Sequence, residues 1–334
     1  MLEDLKDATL ATNFGSYPRV GDEPGEQKLR RALHAFDREE ISADELQSVE
    51  RETVKTILGE QADAGLDVVT DGQVAWHDPL SHLARGLEGV EVSGLLRWFD
   101  NNFYYRQPVL AKAVRWQRPI LLDELEFANA ASDRPLKGVV TGPVTFVALS
   151  RDDHYRDARA ATLAVAEALN REMQSWDELD LAYVQVEEPA FGTRTDLRLM
   201  REAYAALRRD LALPVVVAPF FGDVSGSWRK LFELDVDGYH LDLRSHAANA
   251  GALDPAGFPD GATLSLGLVD ARNTRLEDAS ELAREAEPVR ARIPESCPLL
   301  ITSNCGLEFL PRETARLKLR RLAQTRDALA GAVR

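Results

Sequence analysis

The chain has 334 residues, 45% of them hydrophobic and 28% charged, with a formal net charge of -15. That length and apolar content suit one large core, and a single elaborated barrel fits better than two domains. An acidic chain without a long basic run excludes a nucleic-acid binder, because neutralising phosphates requires clustered Lys and Arg.

No apolar run reaches about 18 residues, so no membrane span is expected. Residues 1–7 are charged and lack the apolar centre of a signal peptide. The two cysteines, Cys297 and Cys305, are too few for a disulfide scaffold and form no Cys-x-x-Cys pair. A cytoplasmic location is the expectation.

In chain order, the first apolar run ends at Thr12-Asn13-Phe14-Gly15-Ser16. Ser42-Ala43-Asp44-Glu45 is a capping box that opens a helix through about Ala64, stopped by Gly65. A second run ends at Val68-Val69-Thr70-Asp71-Gly72. Residues 77–133 then interrupt the rhythm with Trp98, Phe99, Phe103, Tyr104, Tyr105 and Trp116. A connection this long is usually a lid or a binding element. Its aromatics either form a satellite core under a β-hairpin or stack on a flat ligand. Further runs end at Val139-Val140-Thr141-Gly142-Pro143, Val184-Gln185-Val186-Glu187-Glu188-Pro189 and Val215-Val216-Val217-Ala218-Pro219. A helix is expected over residues 156–179. The last three runs are Tyr239-His240-Leu241-Asp242-Leu243, Leu264 to Asp270, and Leu299 to Gly306. Pro311 suits the first turn of a closing helix through Ala328, with Glu313 near its positive end. About eight apolar strands separated by helices predict an α/β fold, a (β/α)₈ TIM barrel spanning residues 1–334, with the aromatic-rich insertion after its second strand.

In such barrels the site lies at the C-terminal ends of the strands. On the fourth strand Tyr183, Gln185 and Glu187 share a face, and Glu187 points into the lumen if Val184 and Val186 face the helices. His240 and Asp242 share a face on the sixth, and Ile301, Ser303 and Cys305 on the eighth. A thiol with carboxylates and a histidine matches either a mixed zinc site or a plain thiol with acid–base neighbours. Blander readings stand beside these. His240 reads equally as a hydrogen-bonded core histidine, Glu187-Glu188 as a strand end that caps a helix, and Cys305-Gly306 as a tight turn.

Thr12-Asn13-Phe14-Gly15-Ser16-Tyr17-Pro18-Arg19 resembles the opening of the cobalamin-independent methionine synthase barrels. So do Glu40 to Leu46, Ala64 to Val68, Gln185-Val186-Glu187-Glu188-Pro189-Ala190 and Asn304-Cys305-Gly306-Leu307. The resemblance covers nearly the whole chain except the insertion and suits a single-barrel member. It implies an S-methyltransferase that converts homocysteine to methionine, with 5-methyltetrahydropteroyltriglutamate as the family's methyl donor and a zinc ion on the thiolate. It places Gly15, Ser16, Gln73, Asp78 and Glu187 around the amino-acid substrate, Glu187 on its ammonium. It makes Cys305 a zinc ligand and catalytic residue and puts Asp242, also catalytic, at the position of a ligating glutamate; with two family ligands missing, the metal is expected either on Cys305, Asp242 and His240 or absent. The family's His-x-Cys ligands fall on Ala218 and Phe220, neither of which binds a metal. Gln73 stands for a substrate-binding glutamate. Arg272 stands for a catalytic histidine, and is expected to stabilise a thiolate or the donor's carboxylate. The segments at residues 237–243 and 265–273 look like the family's N-terminal barrel, where the same pattern carries no metal. The expected partners are therefore a thiol amino acid and a methyl donor, either a folate or a methylcobamide protein. The alternatives are another alkyl-thiol transferase or lyase, or a degenerate barrel that binds folate or an amino acid and works with a partner protein.

Overall fold

The computed structural model describes residues 8–192, 195–252 and 257–332; the charged residues 1–7 lie outside them. Its strands are β1 (Thr9–Ala11), β2 (Leu87–Arg97), β3 (Tyr104–Trp116), β4 (Leu136–Thr141), β5 (Arg151–Asp152), β6 (Leu181–Glu187), β7 (Val215–Ala218), β8 (Gly238–Asp242), β9 (Thr263–Val269) and β10 (Leu299–Ser303). Seven of them form one parallel sheet in the order β1-β10-β9-β8-β7-β6-β4. These strands are buried on both faces, which is why they read as unbroken apolar runs.

The barrel closes through residues 68 and 69. Val68 bridges Thr12, and Val69 bridges Leu136. The expected second strand is shorter than its apolar run. The Gln61 side chain explains why: its amide donates to Thr70 O at 2.7 Å and accepts from Thr70 N at 3.0 Å. With both main-chain groups of Thr70 satisfied, no further ladder is needed there. Gly72 and Gln73 then turn the chain at φ +73° and +55°.

Helices pack outside the sheet. The Ala43–Asp63 helix starts at the Ser42/Glu45 capping box, and Gly65 follows it at φ +86°. The helix expected over 156–179 spans Ala158–Gln174, because the Asp157 carboxylate caps the main chain at Arg159 and Ala160. The closing helix spans Arg312–Ala332, and Pro311 sits just before it, accepting from Ala315 N at 3.0 Å.

The insertion folds as a helix (Ser81–Gly86), the antiparallel hairpin β2–β3 and a second helix (Leu122–Ala131), with β5 added parallel to β3. Glu172, fully buried in the Ala158–Gln174 helix, anchors its base. Its carboxylate accepts from Trp116 Nε1, Ile120 N and Leu121 N at 2.8 Å and from Trp176 Nε1 at 3.1 Å. The aromatics divide into two sets. Trp98 and Tyr105 are buried and pack edge to face at 5.7 Å. Phe99 and Phe103, at the hairpin tip, pack on Phe221 and Phe309, both at 5.6 Å, in the loops after β7 and β10. The tip therefore lies over the C-terminal mouth of the barrel.

Candidate functional site

The segment after β1 builds the floor of the mouth. Gly15 O accepts from Asn13 Nδ2 at 2.8 Å and Thr70 Oγ1 at 2.7 Å, and Phe14 O accepts from Gln185 Nε2 at 2.7 Å. These bonds bring Gly15 against the end of β6. A Cβ on Gly15 would lie 2.8 Å from Glu187 Oε1 and 3.8 Å from Gln73 Nε2. Only glycine admits the carboxylate this closely. Gln73 Nε2 is buried without a partner, a donor aimed at something the protein itself does not supply.

The lumen face of β6 is polar near its end. Gln185 Nε2 donates to Glu187 Oε1 at 3.1 Å, and Lys137 Nζ donates to Gln185 Oε1 at 2.8 Å. The Lys137 ammonium also lies 5.3 Å from the centre of the Tyr183 ring. Burial, reinforced by the charge of Glu308, pushes the Glu187 carboxyl up to about 8 against the pull of Lys137. Burial lowers Lys137 to about 7. Glu188, by contrast, accepts from Val144 N at 3.2 Å and Thr145 N at 2.7 Å. It caps the helix after β4, as the blander reading of the Glu187-Glu188 pair expected.

A cleft of about 260 Å³ opens beside this floor, lined by Ser16, Arg19, Gln73, Asp78, Phe103 and Glu308 among others. Ser16 Oγ donates to Glu308 Oε2. Gly306 leaves the room for that bond, since a Cβ there would collide with both oxygens. Asp78 is occupied: it accepts from Leu80 N, Ser81 N, Ser81 Oγ and Arg106 N, and so ties the start of the insertion to β3. Glu308 and Lys137 were missed in the sequence. The available signals were a lone acid between Leu307 and Phe309 just past the last strand, and a lone lysine inside an apolar one.

The metal reading fares differently. Among the described residues no group of three His, Cys, Asp or Glu side chains is placed to hold an ion. The Asp242 carboxylate accepts from Phe221 N at 3.1 Å, Arg244 N at 2.8 Å, Ser245 N at 2.9 Å and Ser245 Oγ, which commits both oxygens to the turn after β8. His240 Nδ1 pairs with Ser265 Oγ at 3.0 Å, and its ring lies 4.8 Å from Phe14. Burial, with Lys137 nearby, lowers His240 to about 3. Cys305 has no exposed surface, and burial next to Glu308 and Asp242 holds its thiol well above the ordinary range. Ala218 and Phe220 line the end of β7 as apolar core. The expected set of Cys305, Asp242 and His240 is therefore not a zinc site in this structure, and the residues present do not fit the ion. Arg272 reaches outward: it pairs with Asp100 of the hairpin tip at 2.9 Å and lies 5.2 Å over the Phe221 ring.

The sequence profile of a family described as the cobalamin-independent synthase, N-terminal domain, matches residues 78–294. The methionine synthase of Sulfolobus acidocaldarius is 28% identical over 313 residues, covering 92% of this chain and 88% of the relative. That of Sulfurisphaera tokodaii is 29% identical over 311 residues, with the same coverage. Among solved structures, a B12-independent methionine synthase from Shewanella sp. W3-18-1, in complex with selenomethionine, superposes with a TM-score of 0.78 at 18% identity, over 98% of this chain and 99% of that one. A putative vitamin-B12 independent methionine synthase from Listeria monocytogenes superposes with a TM-score of 0.70, also at 18% identity, over 96% and 97% of the two chains. At that identity the likeness speaks for the fold, a TIM barrel. The N-terminal character of the matched profile agrees with the reading of residues 237–243 and 265–273.

Proposed function

The chain belongs to the cobalamin-independent synthase family, and from that premise we propose that it transfers a methyl group to the thiol of homocysteine, giving methionine. The observation that carries the reading is the approach of Glu187 to Gly15, with the unpartnered Gln73 amide near the same glycine. The names of the relatives support the same reaction.

In this reading Gly15, Ser16, Gln73 and Glu187 hold the amino acid. Glu187 takes the ammonium, and the free N–H of Gln73 faces an acceptor on the substrate. Asp78 shapes the cleft through the main chain rather than by contact. The hairpin tip, with Phe99 and Phe103, covers the mouth and helps to hold the second substrate, a methylfolate. Residues 8–332 act as one barrel with 77–133 as its lid. The sulfur–methyl bond forms as the donor's nitrogen–methyl bond breaks, and the thiol proton ends on the donor nitrogen; no step is routed through a metal, because the donors at the mouth do not fit one. No helix of the described residues is long and apolar enough to cross a membrane.

The test is methionine formation from L-homocysteine by the purified full-length protein. It is supplied with methyltetrahydrofolate, as mono- and triglutamate, or with methylcobalamin, each with and without added zinc. Turnover with a folate donor is the expected result. Failure with every donor, in protein shown to be folded, sinks the reading. Glu187→Gln is expected to weaken binding of L-homocysteine by roughly one to two decades, the worth of a charged hydrogen bond of about 1.5–3 kcal/mol. Unchanged affinity, measured calorimetrically, removes Glu187 from the ammonium.

A further inference from the structure

Lys137 stands in β4 with its side chain buried among the lumen residues of β6. The β4–β6 ladder shifts register between Leu136 and Gly138, so the lysine sits at an irregularity of the kind that re-aims a side chain. Its contacts are an amide and an aromatic face rather than a carboxylate. Nζ donates to Gln185 Oε1 at 2.8 Å and lies 5.3 Å from the centre of the Tyr183 ring. Burying an amine without a carboxylate partner is costly. An unbranched apolar side chain would fill the same space without that cost. A local cost with no return in stability marks a functional position.

The Gln185 amide is the group the lysine acts on. Its Nε2 donates to Phe14 O at 2.7 Å and to Glu187 Oε1 at 3.1 Å. A main-chain carbonyl can only accept, so the N–H₂ end of the amide must face Phe14, and its oxygen must find a donor on the β4 side. Lys137 is that donor, as an ammonium or as an amine. Every link from Lys137 to Phe14 and to Glu187 is thus a direct hydrogen bond. Phe14 carries the turn into Gly15, and Gly15 is the residue that admits Glu187. One amide sets both sides of that approach.

Resting on the reading of the mouth as an amino-acid site, we propose that Lys137 is a positioning residue for it. Through Gln185 it holds the Glu187 carboxylate and the Phe14–Gly15 turn in the geometry that receives the substrate.

Without the lysine, Gln185 Oε1 is left buried and unpartnered, a costly state that the amide escapes by rotating. Rotation gives up the bonds to Phe14 O and Glu187 Oε1. The loss then falls on the groups that meet the amino acid. The methyl donor, which lies under the hairpin tip in this reading, is not affected. A side chain that only filled the lumen would change stability without separating the two substrates.

The experiment is steady-state kinetics of the full-length protein carrying Lys137→Met and Gln185→Met, singly and together, with calorimetric titration of L-homocysteine. Lys137→Met is expected to raise the KM and Kd for homocysteine roughly tenfold, the worth of about one hydrogen bond. The kcat and the KM for the methyl donor should stay within about twofold, the signature of lost ground-state binding. In the Gln185→Met background, adding Lys137→Met should change homocysteine affinity by less than about twofold, because the relay is already cut. Lys137→Gln, whose arm is one bond shorter and stops short of Gln185 Oε1, carries the test if Lys137→Met does not fold, and the same rise is expected. An unchanged homocysteine KM, a loss spread equally over both substrates, or a second tenfold loss in the Gln185→Met background overturns the inference and leaves the proposed function standing. A folded wild type that neither binds nor methylates homocysteine overturns both.

Discussion

With no exposed surface, the Cys305 thiol packs just past the end of β10, and burial holds it well above the ordinary range. In the sequence its position just past an apolar strand points to reactivity, because burial beyond the strand end is set by residues far away in the chain. Cys305→Ser buries an extra hydroxyl. It is expected to destabilise the fold by about 1–3 kcal/mol in urea unfolding while turnover per folded molecule persists. Loss of turnover with unchanged stability would return the thiol to the chemistry. Glu187 was legible for the opposite reason. Alternation along β6 fixes its face locally, with Val184 and Val186 turned to the other side. Glu308 and Lys137 were not legible, since their partners, Ser16 and Gln185, lie 292 and 48 residues away in the chain. His240 and Asp242 were placed correctly on one strand, but their hydrogen bonds to Ser265 and to the turn after β8 depend on neighbours that spacing does not reveal.

The insertion announced itself by length and aromatic content, and its hairpin fits that signal. What the sequence left open was which aromatics turn inward. The answer lies in the anchoring: Glu172 fixes the base of the hairpin through two indole N–H groups and two main-chain N–H groups. Trp98 and Tyr105 are drawn inward, and Phe99 and Phe103 are left at the tip. Glu172→Gln replaces charge-assisted bonds by weaker ones and puts an amide N–H₂ among donors. A loss of about 2–4 kcal/mol is expected, read from denaturant unfolding. A change under about 0.5 kcal/mol would show that the anchor carries little. At the tip, Phe99→Ala combined with Phe103→Ala removes the contacts to Phe221 and Phe309 but leaves the buried aromatics in place. The expected result is a normally folded protein with a raised KM for the methyl donor. An unchanged KM would reduce the tip to a cover with no part in binding. The Asp100–Arg272 pair is half open to solvent and adds little to stability.

Across the whole molecule, buried acids give stability an unusual dependence on pH. Burial raises Glu187 to about 8 and Glu188 and Asp71 to about 7, from ordinary values of 4.5, 4.5 and 3.8. In the unfolded chain these groups lose their protons near pH 4–5, but in the fold they keep them to pH 7–8. The stability they contribute is present below their unfolded values and is lost as pH rises through their folded ones. Lys137 works in the other sense. Lowered to about 7, it penalises the fold throughout the acid side, and the penalty fades only above pH 7. Urea midpoints are therefore expected to fall from pH 5 to pH 7.5, with Glu188→Gln flattening the slope. A midpoint that rises over this range would contradict the assignment. The barrel itself was legible because parallel strands buried on both faces leave an unmistakable pattern, except after Val68 and Val69, where the Gln61 side chain takes both main-chain groups of Thr70 and the ladder stops. The join there is short. Every other junction between neighbouring barrel strands has at least two paired positions, but this one holds by a single bridge on each side. The chain leaving it runs directly through Gly72 and Gln73 into the wall of the cleft. The hoop has its shortest ladder beside the cleft, and there main-chain bonds from Asp67 to Ala11 and from Lys137 to Val69 keep the staves in register.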